Sequence, residues 1–160
     1  IDREARWTTK GERSYYGSKN HISSDVEYGF IRRYAVTDAA VHDSQVLGKL
    51  LDDHNSEDGL WGDSAYRSEN IEEVLKLLNF ESQIHERAYR NRPLTEEQKE
   101  SNREKSKIRA KVEHIFAFLS LMGGKLVRSI GRERVSLHLG LKNLTYNFQR
   151  LVFWESRSVG

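Results

Sequence analysis

The sequence predicts an α/β fold with a mixed sheet, and three patterns indicate it. Residues Tyr15–Ile22 and Phe30–Val36 are rich in aromatic and β-branched side chains and flank a turn, which predicts a β-hairpin. An amphipathic helix at Glu69–Leu78 lies between two strand-like segments, Gly59–Gly62 and Phe80–His85. Two strands joined by one helix are the elements of a parallel βαβ unit. Long helices are predicted in the C-terminal third.

The first half of the chain contains the less regular elements. Residues Ile1–Ser14 are polar apart from Trp7 and are predicted to form an irregular lead-in. A short helix is expected over Ser44–Leu51, with Asp43 as its N-cap. The Leu-Trp pair between Gly59 and Gly62 is typical of a buried strand. The helix that follows is predicted to bury Ile71, Val74, Leu75 and Leu78 and to end at Asn79.

Helices dominate the second half. Thr95 and Gln98 have the spacing of a capping box for a short helix, and a long helix is predicted over Asn102–Leu121. Gly123-Gly124 is expected to end it, before a link or strand at Lys125–Ile130. The long helix has an apolar stripe of Ile108, Val112, Ile115, Leu119 and Met122. A last helix is predicted over Val135–Phe153, with Leu137, Leu141, Leu144, Phe148 and Leu151 on its inner side.

Composition limits the class of protein. One hundred and sixty residues suit one domain with a hydrophobic core. The chain has no cysteine, which excludes disulfides and thiolate zinc sites. It shows neither a membrane-span pattern nor a signal peptide, so a soluble cytoplasmic protein is expected. Because the first residue is Ile1, an upstream segment or a longer parent protein is also expected.

The net charge of +2 is unevenly distributed. Lys and Arg number 10 against 16 Asp and Glu in residues 1–84, but 13 against 7 in residues 85–134 and 3 against 1 in residues 135–160. An acidic half that could hold cations and a basic half that could meet phosphates fit a protein acting on a polyanion. For residues 96–107 the balanced charges instead favour a solvated helix face.

Asp63 is the first candidate for chemistry, because it follows directly after the predicted strand at Gly59–Gly62. As an alternative it caps the turn or helix that follows. Glu113 lies at the border of the apolar stripe on the long helix, with Arg109 one turn earlier. Arg109 and Glu113 could equally form a surface ion pair. Asp63 and Glu113 together would make half to two-thirds of a magnesium site.

The other polar candidates carry less specific signals. His21, His42, His85 and His114 lack zinc spacing, so structural or supporting roles are favoured for them. Lys19 in the hairpin, with Arg87, Arg90 and Arg92 in the loop around the only proline, could contact DNA phosphates. The tryptophans are expected to be core or half-buried aromatics, at positions Trp7, Trp61 and Trp154.

Six blocks of sequence, in this order, resemble bacterial insertion-sequence transposases of the DDE class, the group usually called IS five. They are Tyr-Tyr-Gly-Ser-Lys-Asn-His-Ile, Val-Thr-Asp-Ala-Ala-Val-His-Asp-Ser, Gly-Asp-Ser-Ala-Tyr-Arg-Ser, Ile-His-Glu-Arg-Ala-Tyr-Arg-Asn-Arg-Pro-Leu, Arg-Ala-Lys-Val-Glu-His-Ile-Phe and Gly-Leu-Lys-Asn-Leu-Thr-Tyr-Asn. The resemblance implies a ribonuclease-H-like domain, a mixed sheet flanked by helices, that cuts transposon ends and joins the 3′ hydroxyl to target DNA. It also implies Mg²⁺ or Mn²⁺ as cofactor, double-stranded DNA as partner and a homo-oligomer on DNA.

Within this resemblance, Asp63 matches the second acid of the catalytic triad, Glu113 the third, and Arg109 the arginine four residues before that glutamate. Ser106 and Ser120 stand where related families have a tyrosine and a lysine, so neither role is transferred. The first acid has no match, and its replacement is expected at none of Asp2, Asp25, Asp38 and Asp43.

The missing acid leads to the expectation that residues 1–160 are the C-terminal part of the catalytic domain. The central strand that carries the acid would then be absent, which should leave a gap or force an altered sheet. Two alternatives remain open at this point. One is an inactive DNA-binding or interaction remnant, and the other is a structural α/β domain with no nucleic acid partner.

Overall fold

A computed structural model describes residues 2–52, 54, 59–123 and 127–158. It contains strands and helices, in agreement with the predicted α/β class. The chain divides into two compact units, one comprising Ile1–Leu51 and His114–Gly160 and the other Asp52–Glu113. None of the described helices has the combination of length and apolar composition that crossing a bilayer requires.

The first unit contains a three-stranded antiparallel sheet of β1 (Arg6–Lys10), β2 (Arg13–Ser24) and β3 (Ile31–Asp38). β2 is central: its first half pairs with β1 and its second half with β3. The predicted hairpin is confirmed. The prediction of an irregular lead-in was wrong, because residues 6–10 form a strand that pairs with the first half of β2. The turn between them is at Gly11, which has φ +62°. Trp7 on β1 is 66% exposed and therefore not a core residue.

A short helical segment follows β3. A 3₁₀ turn at Asp43–Val46 leads into α1 (Leu47–Leu50), and Val46, Leu47, Leu50 and Leu51 are buried. The predicted N-cap at Asp43 was wrong. His42 is the cap, since its Nδ1 accepts the Ser44 N–H at 3.3 Å. The Asp43 carboxylate instead lies 3.4 Å from the Lys19 ammonium.

The second unit is built on two parallel strands, β4 (Gly59–Gly62) and β5 (Glu81–Ile84), joined by α2 (Glu69–Leu77). The predicted βαβ order is confirmed. Leu75 and Ile84 are its fully buried side chains, whereas Leu60 and Trp61 on β4 are half-buried rather than buried as expected. Asn79, with φ +59°, ends α2 as predicted.

One helix, α3 (Glu96–Leu121), replaces the predicted short and long helices. The capping box is confirmed: the Gln98 side chain accepts the Thr95 N–H at 3.0 Å, and Thr95 Oγ1 accepts the Gln98 N–H at 3.2 Å. The helix continues without a break because its solvated first half is stabilised by ion pairs at i, i+3 spacing, Glu96–Lys99, Glu100–Arg103 and Glu104–Lys107.

After α3, Gly123 has φ +96°, consistent with the predicted stop. Gly124, Lys125 and residue 126 lie outside the described part of the chain, and residues 127–130 form no strand. The core of the first unit contains residues from the predicted α3 stripe together with the sheet and the last helix: Ile31, Ile115, Leu119 and Tyr146, with Ile22, Phe118 and Met122 against them.

The last helix, α4 (Arg132–Ser158), is longer than predicted and packs on β3. The predicted inner face was wrong: Leu137, Leu141, Leu144, Phe148 and Leu151 are exposed, and Val135, Leu139, Asn143 and Tyr146 are buried. Hydrogen bonds made by the second of these faces explain why it is the buried one. The Asn147 side chain accepts the Ile31 N–H at 2.8 Å and donates to the Ile31 carbonyl at 2.9 Å. Tyr146 Oη donates to the Gly29 carbonyl, and Asn143 bonds Asn20.

The described strands therefore form two sheets, β1–β2–β3 and β4–β5, and not the single mixed sheet predicted from the strand pattern.

Candidate active site

The two oxygens of the Asp63 carboxylate have different partners. Oδ1 accepts the Ala65 N–H at 2.8 Å and so caps the 3₁₀ turn at Ser64–Tyr66. Oδ2 lies 3.8 Å from an Nη2 of Arg109 on α3. The side chain remains 41% exposed. The capping role that the sequence offered as an alternative is confirmed, and the same carboxylate also faces Arg109. Its role in chemistry stays a prediction.

β4 and β5 bring Asp63 to the same sheet edge as His85. Gly62 at the end of β4 is paired with Ile84 at the end of β5, so Asp63 and His85 both follow the carboxyl ends of parallel strands. The backbone N–H of His85 donates to the Gly62 carbonyl at 3.1 Å. Burial lowers the pKa of His85, and the positive charges of Arg109 and Lys105 lower it further against the opposing effect of Asp63. Both effects favour the neutral form of the imidazole.

Polar side chains on α3 attach this helix to the edge of β5. The Asn102 amide accepts the Glu86 N–H at 2.8 Å and donates to the Glu86 carbonyl at 3.0 Å. One turn later the Lys105 ammonium donates to the Ile84 carbonyl at 3.2 Å. Because these contacts set the position of α3 along the strand, they also place Arg109 near Asp63.

Sequence reasoning missed Asn102 and Lys105, and it gave His85 no specific role. A signal for them exists in the sequence. Asn102, Lys105, Arg109 and Glu113 recur at i, i+3, i+7 and i+11, which is a polar stripe at helical period. His85 directly follows a strand that pairs in parallel with the strand preceding Asp63.

The turn that carries Asp63 is held from its other end by Arg67. The guanidinium donates to Glu72 on α2 at 3.0 Å and to Glu86 after β5 at 2.9 Å. All three side chains are about one-third exposed or less. Arg67 thus links the turn, the helix and the second strand of the βαβ unit.

The side chain of Glu113, the other predicted acid, is exposed and makes no hydrogen bond or ion pair with any described residue. Arg109, one turn earlier, forms its ion pair with Asp63 and not with Glu113. The local surface pair that the sequence left open is therefore not formed.

The donor set fits a hard divalent cation in type but not in number. Asp63 and Glu113 offer the carboxylate oxygens that Mg²⁺ prefers. Within the part of the chain that is described, no three His, Cys, Asp or Glu side chains form a cluster able to hold a metal ion. Arg109 already faces the Oδ2 of Asp63. The metal-binding role of Asp63 and Glu113 therefore stays a prediction.

The four aspartates rejected as the first acid all serve local structure in the first unit. Asp2 accepts the Gly131 and Glu4 N–H groups at 3.0 Å, and the bond from Gly131 is the main cause of its lowered pKa. Asp25 accepts the N–H groups of residues 28–30 in the turn before β3. Asp38 accepts the Ala40 N–H at 2.9 Å, and Asp43 faces Lys19.

The predicted DNA contacts fall into two groups. Arg87, Arg90 and Arg92 are exposed on the loop after β5, and none of them forms an ion pair with a described residue. The loop is tightened by reciprocal backbone bonds between Tyr89 and Arg92, 3.1 and 3.0 Å long. Lys19 differs, because its half-buried ammonium donates to the Val41 carbonyl at 2.8 Å and approaches Asp43.

The remaining histidines have varied surroundings. His21 is buried, bonds the Thr37 hydroxyl through Nε2 at 2.8 Å, and has its Nδ1 3.5 Å from Asp43. Burial lowers its pKa, with Lys19 adding to and Asp43 opposing the shift. His42 is a helix cap, and His114 is exposed.

Comparison with known sequences decides the family. The sequence model of the family described as "Transposase DDE domain" matches residues 2–148. The chain belongs to the DDE transposase family. A transposase for insertion sequence element IS1106 from Neisseria meningitidis serogroup B is 35% identical over 118 residues, which are 74% of this chain and 41% of that protein. This DDE transposase chain therefore spans about two-fifths of the length of that relative. No solved structure matches it.

The match confirms the predicted family, a DDE transposase of insertion sequences. It covers both Asp63 and Glu113, as well as Arg109 between them. The roles of these residues in catalysis remain predictions.

Proposed function

We propose that residues 1–160 are part of a ribonuclease-H-like catalytic domain that cuts transposon DNA ends and transfers the 3′ hydroxyl to target DNA with a divalent cation, Mg²⁺ or Mn²⁺. The observation that carries the proposal is the ion pair between Asp63 and Arg109, at the carboxyl end of β4, in a chain that the transposase family matches over residues 2–148. Ligands commonly bind outside the carboxyl ends of parallel strands.

Asp63 and Glu113 are the proposed ligands of the cation. When bound, such an ion supplies positive charge to the oxygens of the reacting phosphate. Arg109, the third predicted catalytic residue, lies 3.8 Å from the Oδ2 of Asp63 and is proposed to position that carboxylate. The neutral imidazole of His85 at the same sheet edge can accept a hydrogen bond from a water or hydroxyl near Asp63.

Two carboxylates are one fewer than the catalytic triad of the family. In the proposed function, a third acid comes from a segment that precedes residue 1 in the complete transposase. The second candidate is an inactive DNA-binding or interaction remnant. It is favoured by one observation, that the described residues contain no cluster of three possible metal ligands.

DNA binding is proposed for the loop with Arg87, Arg90 and Arg92. Since these guanidinium groups have no ion pair with a described residue, a DNA phosphate would not have to displace an internal carboxylate. Contact by Lys19 is proposed as well, but its ammonium must first leave Asp43 and the Val41 carbonyl. Such contacts position double-stranded DNA without reading its sequence. The complex is proposed to be a homo-oligomer on paired DNA ends.

The decisive experiment is strand cleavage of DNA carrying the transposon ends by a protein that includes the upstream segment. Asp63→Asn and Glu113→Gln should each reduce cleavage by at least about 100-fold, the scale on which loss of a charged group in a reaction site is felt. Glu104→Gln is the matched control, an exposed carboxylate elsewhere on α3, and should cleave normally. Normal cleavage by either site variant would refute the assignment.

The remnant is tested by duplex DNA binding over a salt series. A protein with the upstream segment that binds DNA but never cleaves it, with or without Mg²⁺ or Mn²⁺, is a remnant. Binding that rests on phosphates weakens steeply with salt. Replacement of Arg90 by alanine should reduce the slope of log K against log salt by about 1.

A further inference from the structure

α4 carries a second apolar stripe on the side turned away from the sheet. It consists of Leu137, Leu141, Leu144, Phe148 and Leu151, whose exposed fractions range from 44% for Leu151 to 65% for Leu137. The opposite side of the same helix packs on β3 through Asn143, Tyr146 and Asn147. Large apolar side chains in one continuous row on a surface mark a binding site more often than single exposed ones do.

The spacing of the exposed stripe is that of a coiled coil. Its members are separated by four, three, four and three residues, so they occupy the d, a, d, a and d positions of successive heptads. α4 has 27 residues and is about 40 Å long, enough for three heptads. A row of this kind is complementary to another helix with the same row, and this chain provides one in every further copy.

Charges at the two ends of the stripe favour an antiparallel partner. Arg134 and Glu155 continue the heptad at its a positions, are exposed, and form no ion pair with a described residue. Two copies side by side in parallel would place Arg134 against Arg134 and Glu155 against Glu155. In an antiparallel pair centred near Leu144, each Arg134 lies within about one helical turn of Glu155 of the second copy.

The area of the stripe approaches what a dimer requires. Its four leucines and one phenylalanine are 44–65% exposed and, scaled down from the roughly 150–250 Å² of an aromatic side chain, present on the order of 500 Å² per copy. Stable interfaces bury about 800 Å² per partner, including a polar rim. Arg134, Glu155 and exposed neighbours such as His138 and Thr145 can provide that rim.

We propose that this stripe of α4 binds the same stripe of a second copy of the chain, antiparallel across a two-fold axis near Leu144. The surface provides a specific interface for the proposed homo-oligomer, and its test requires neither DNA nor cleavage. Failure of the interface would therefore leave the proposed catalytic function untouched.

Sedimentation velocity of the 160-residue chain over a concentration series tests the association. The wild type should dimerise, and Leu144→Asp should weaken dimerisation at least 100-fold. Gln149→Asp adds the same charge at an exposed position off the stripe and should have little effect. Circular dichroism checks folding of each variant. A monomeric wild type, or a Leu144→Asp variant that dimerises normally, would overturn the proposal.

Charge exchange tests the orientation. Arg134→Glu and Glu155→Arg should each weaken the dimer about tenfold, and the double variant should recover wild-type affinity because the antiparallel pair is restored. The absence of recovery would overturn the antiparallel arrangement.

Cross-linking gives a second measure of orientation, and the absence of native cysteine makes it clean. Leu144→Cys, near the axis, should be linked between copies by a short bis-maleimide. Leu137→Cys should not, since the two copies of this residue lie roughly 20 Å apart along an antiparallel pair. Equal cross-linking of both variants indicates parallel helices and would overturn the arrangement.

Discussion

Asp63→Asn separates the two roles of the Asp63 carboxylate. The amide oxygen of asparagine can still accept the Ala65 N–H, which is bonded to Oδ1 at 2.8 Å. The negative charge that faces Arg109 at 3.8 Å is lost. Asp63→Ala removes both the cap and the charge. The pair of variants therefore measures cap and charge separately.

The geometry of the Asp63 contacts sets the expected change in the free energy of unfolding for each variant. The ion pair is long, and its partners are 41% and 27% exposed, so solvent screening leaves it about 0.5 kcal/mol. The cap contributes about 1 kcal/mol. Asp63→Asn should thus lower the free energy of unfolding by about 0.5 kcal/mol and Asp63→Ala by about 1.5 kcal/mol. The asparagine variant stays folded, so its loss of cleavage reports on chemistry.

Urea denaturation followed by circular dichroism measures both variants, with unchanged m-values as the check on two-state behaviour. The Asp63 charge raises the pKa of His85, so Asp63→Asn should lower that pKa further, as read by NMR titration of the imidazole. An asparagine variant as unstable as the alanine variant would refute the reasoning, because the charge and not the cap would then stabilise the turn.

Two further predictions concern the first unit. Asn147→Ala removes both hydrogen bonds to the backbone of Ile31, a residue only 7% exposed. It should lower the free energy of unfolding, measured by urea denaturation, by about 2–3 kcal/mol. The control Gln149→Ala, on the exposed side of α4, should change it by less than about 0.5 kcal/mol. An equal effect of both would contradict the role of Asn147. Burial lowers the pKa of His21 in the folded state, although Asp43 opposes this shift. The unfolded chain therefore binds the proton more readily than the folded one. The melting temperature should consequently fall as the pH decreases below about 6.5. The decrease in melting temperature should be smaller in His21→Gln. A pH profile identical to that of the wild type would count against a neutral buried imidazole.

Elements with local signals were predictable. The hairpin has β-branched and aromatic runs on both sides of a turn, and the capping box of Thr95 and Gln98 is a four-residue pattern. β1 was missed because residues 6–10 are mostly polar and become a strand only through pairing with β2. A partner strand supplies hydrogen bonds that intrinsic propensity does not encode.

The candidate site was predictable by residue and not by contact. Asp63, Arg109 and Glu113 could be selected from position and resemblance. The meeting of Arg109 with Asp63 depends on the register of α3 along β5, which Asn102 and Lys105 set through bonds to strand backbone. Bonds to backbone atoms leave only a faint trace in sequence, since any residue can provide the carbonyl or N–H partner.

α4 shows most clearly which features the sequence determines and which depend on tertiary structure. The sequence by itself determined that residues 135–153 form a helix with apolar residues at helical spacing, because periodicity and helix propensity are local. It could not determine which of two opposite faces is buried. Tertiary structure decided this, because the backbone groups of Ile31 and Gly29 require hydrogen-bond partners that Asn147 and Tyr146 supply. The leucine stripe was left at the surface, where we expect the second copy to bind.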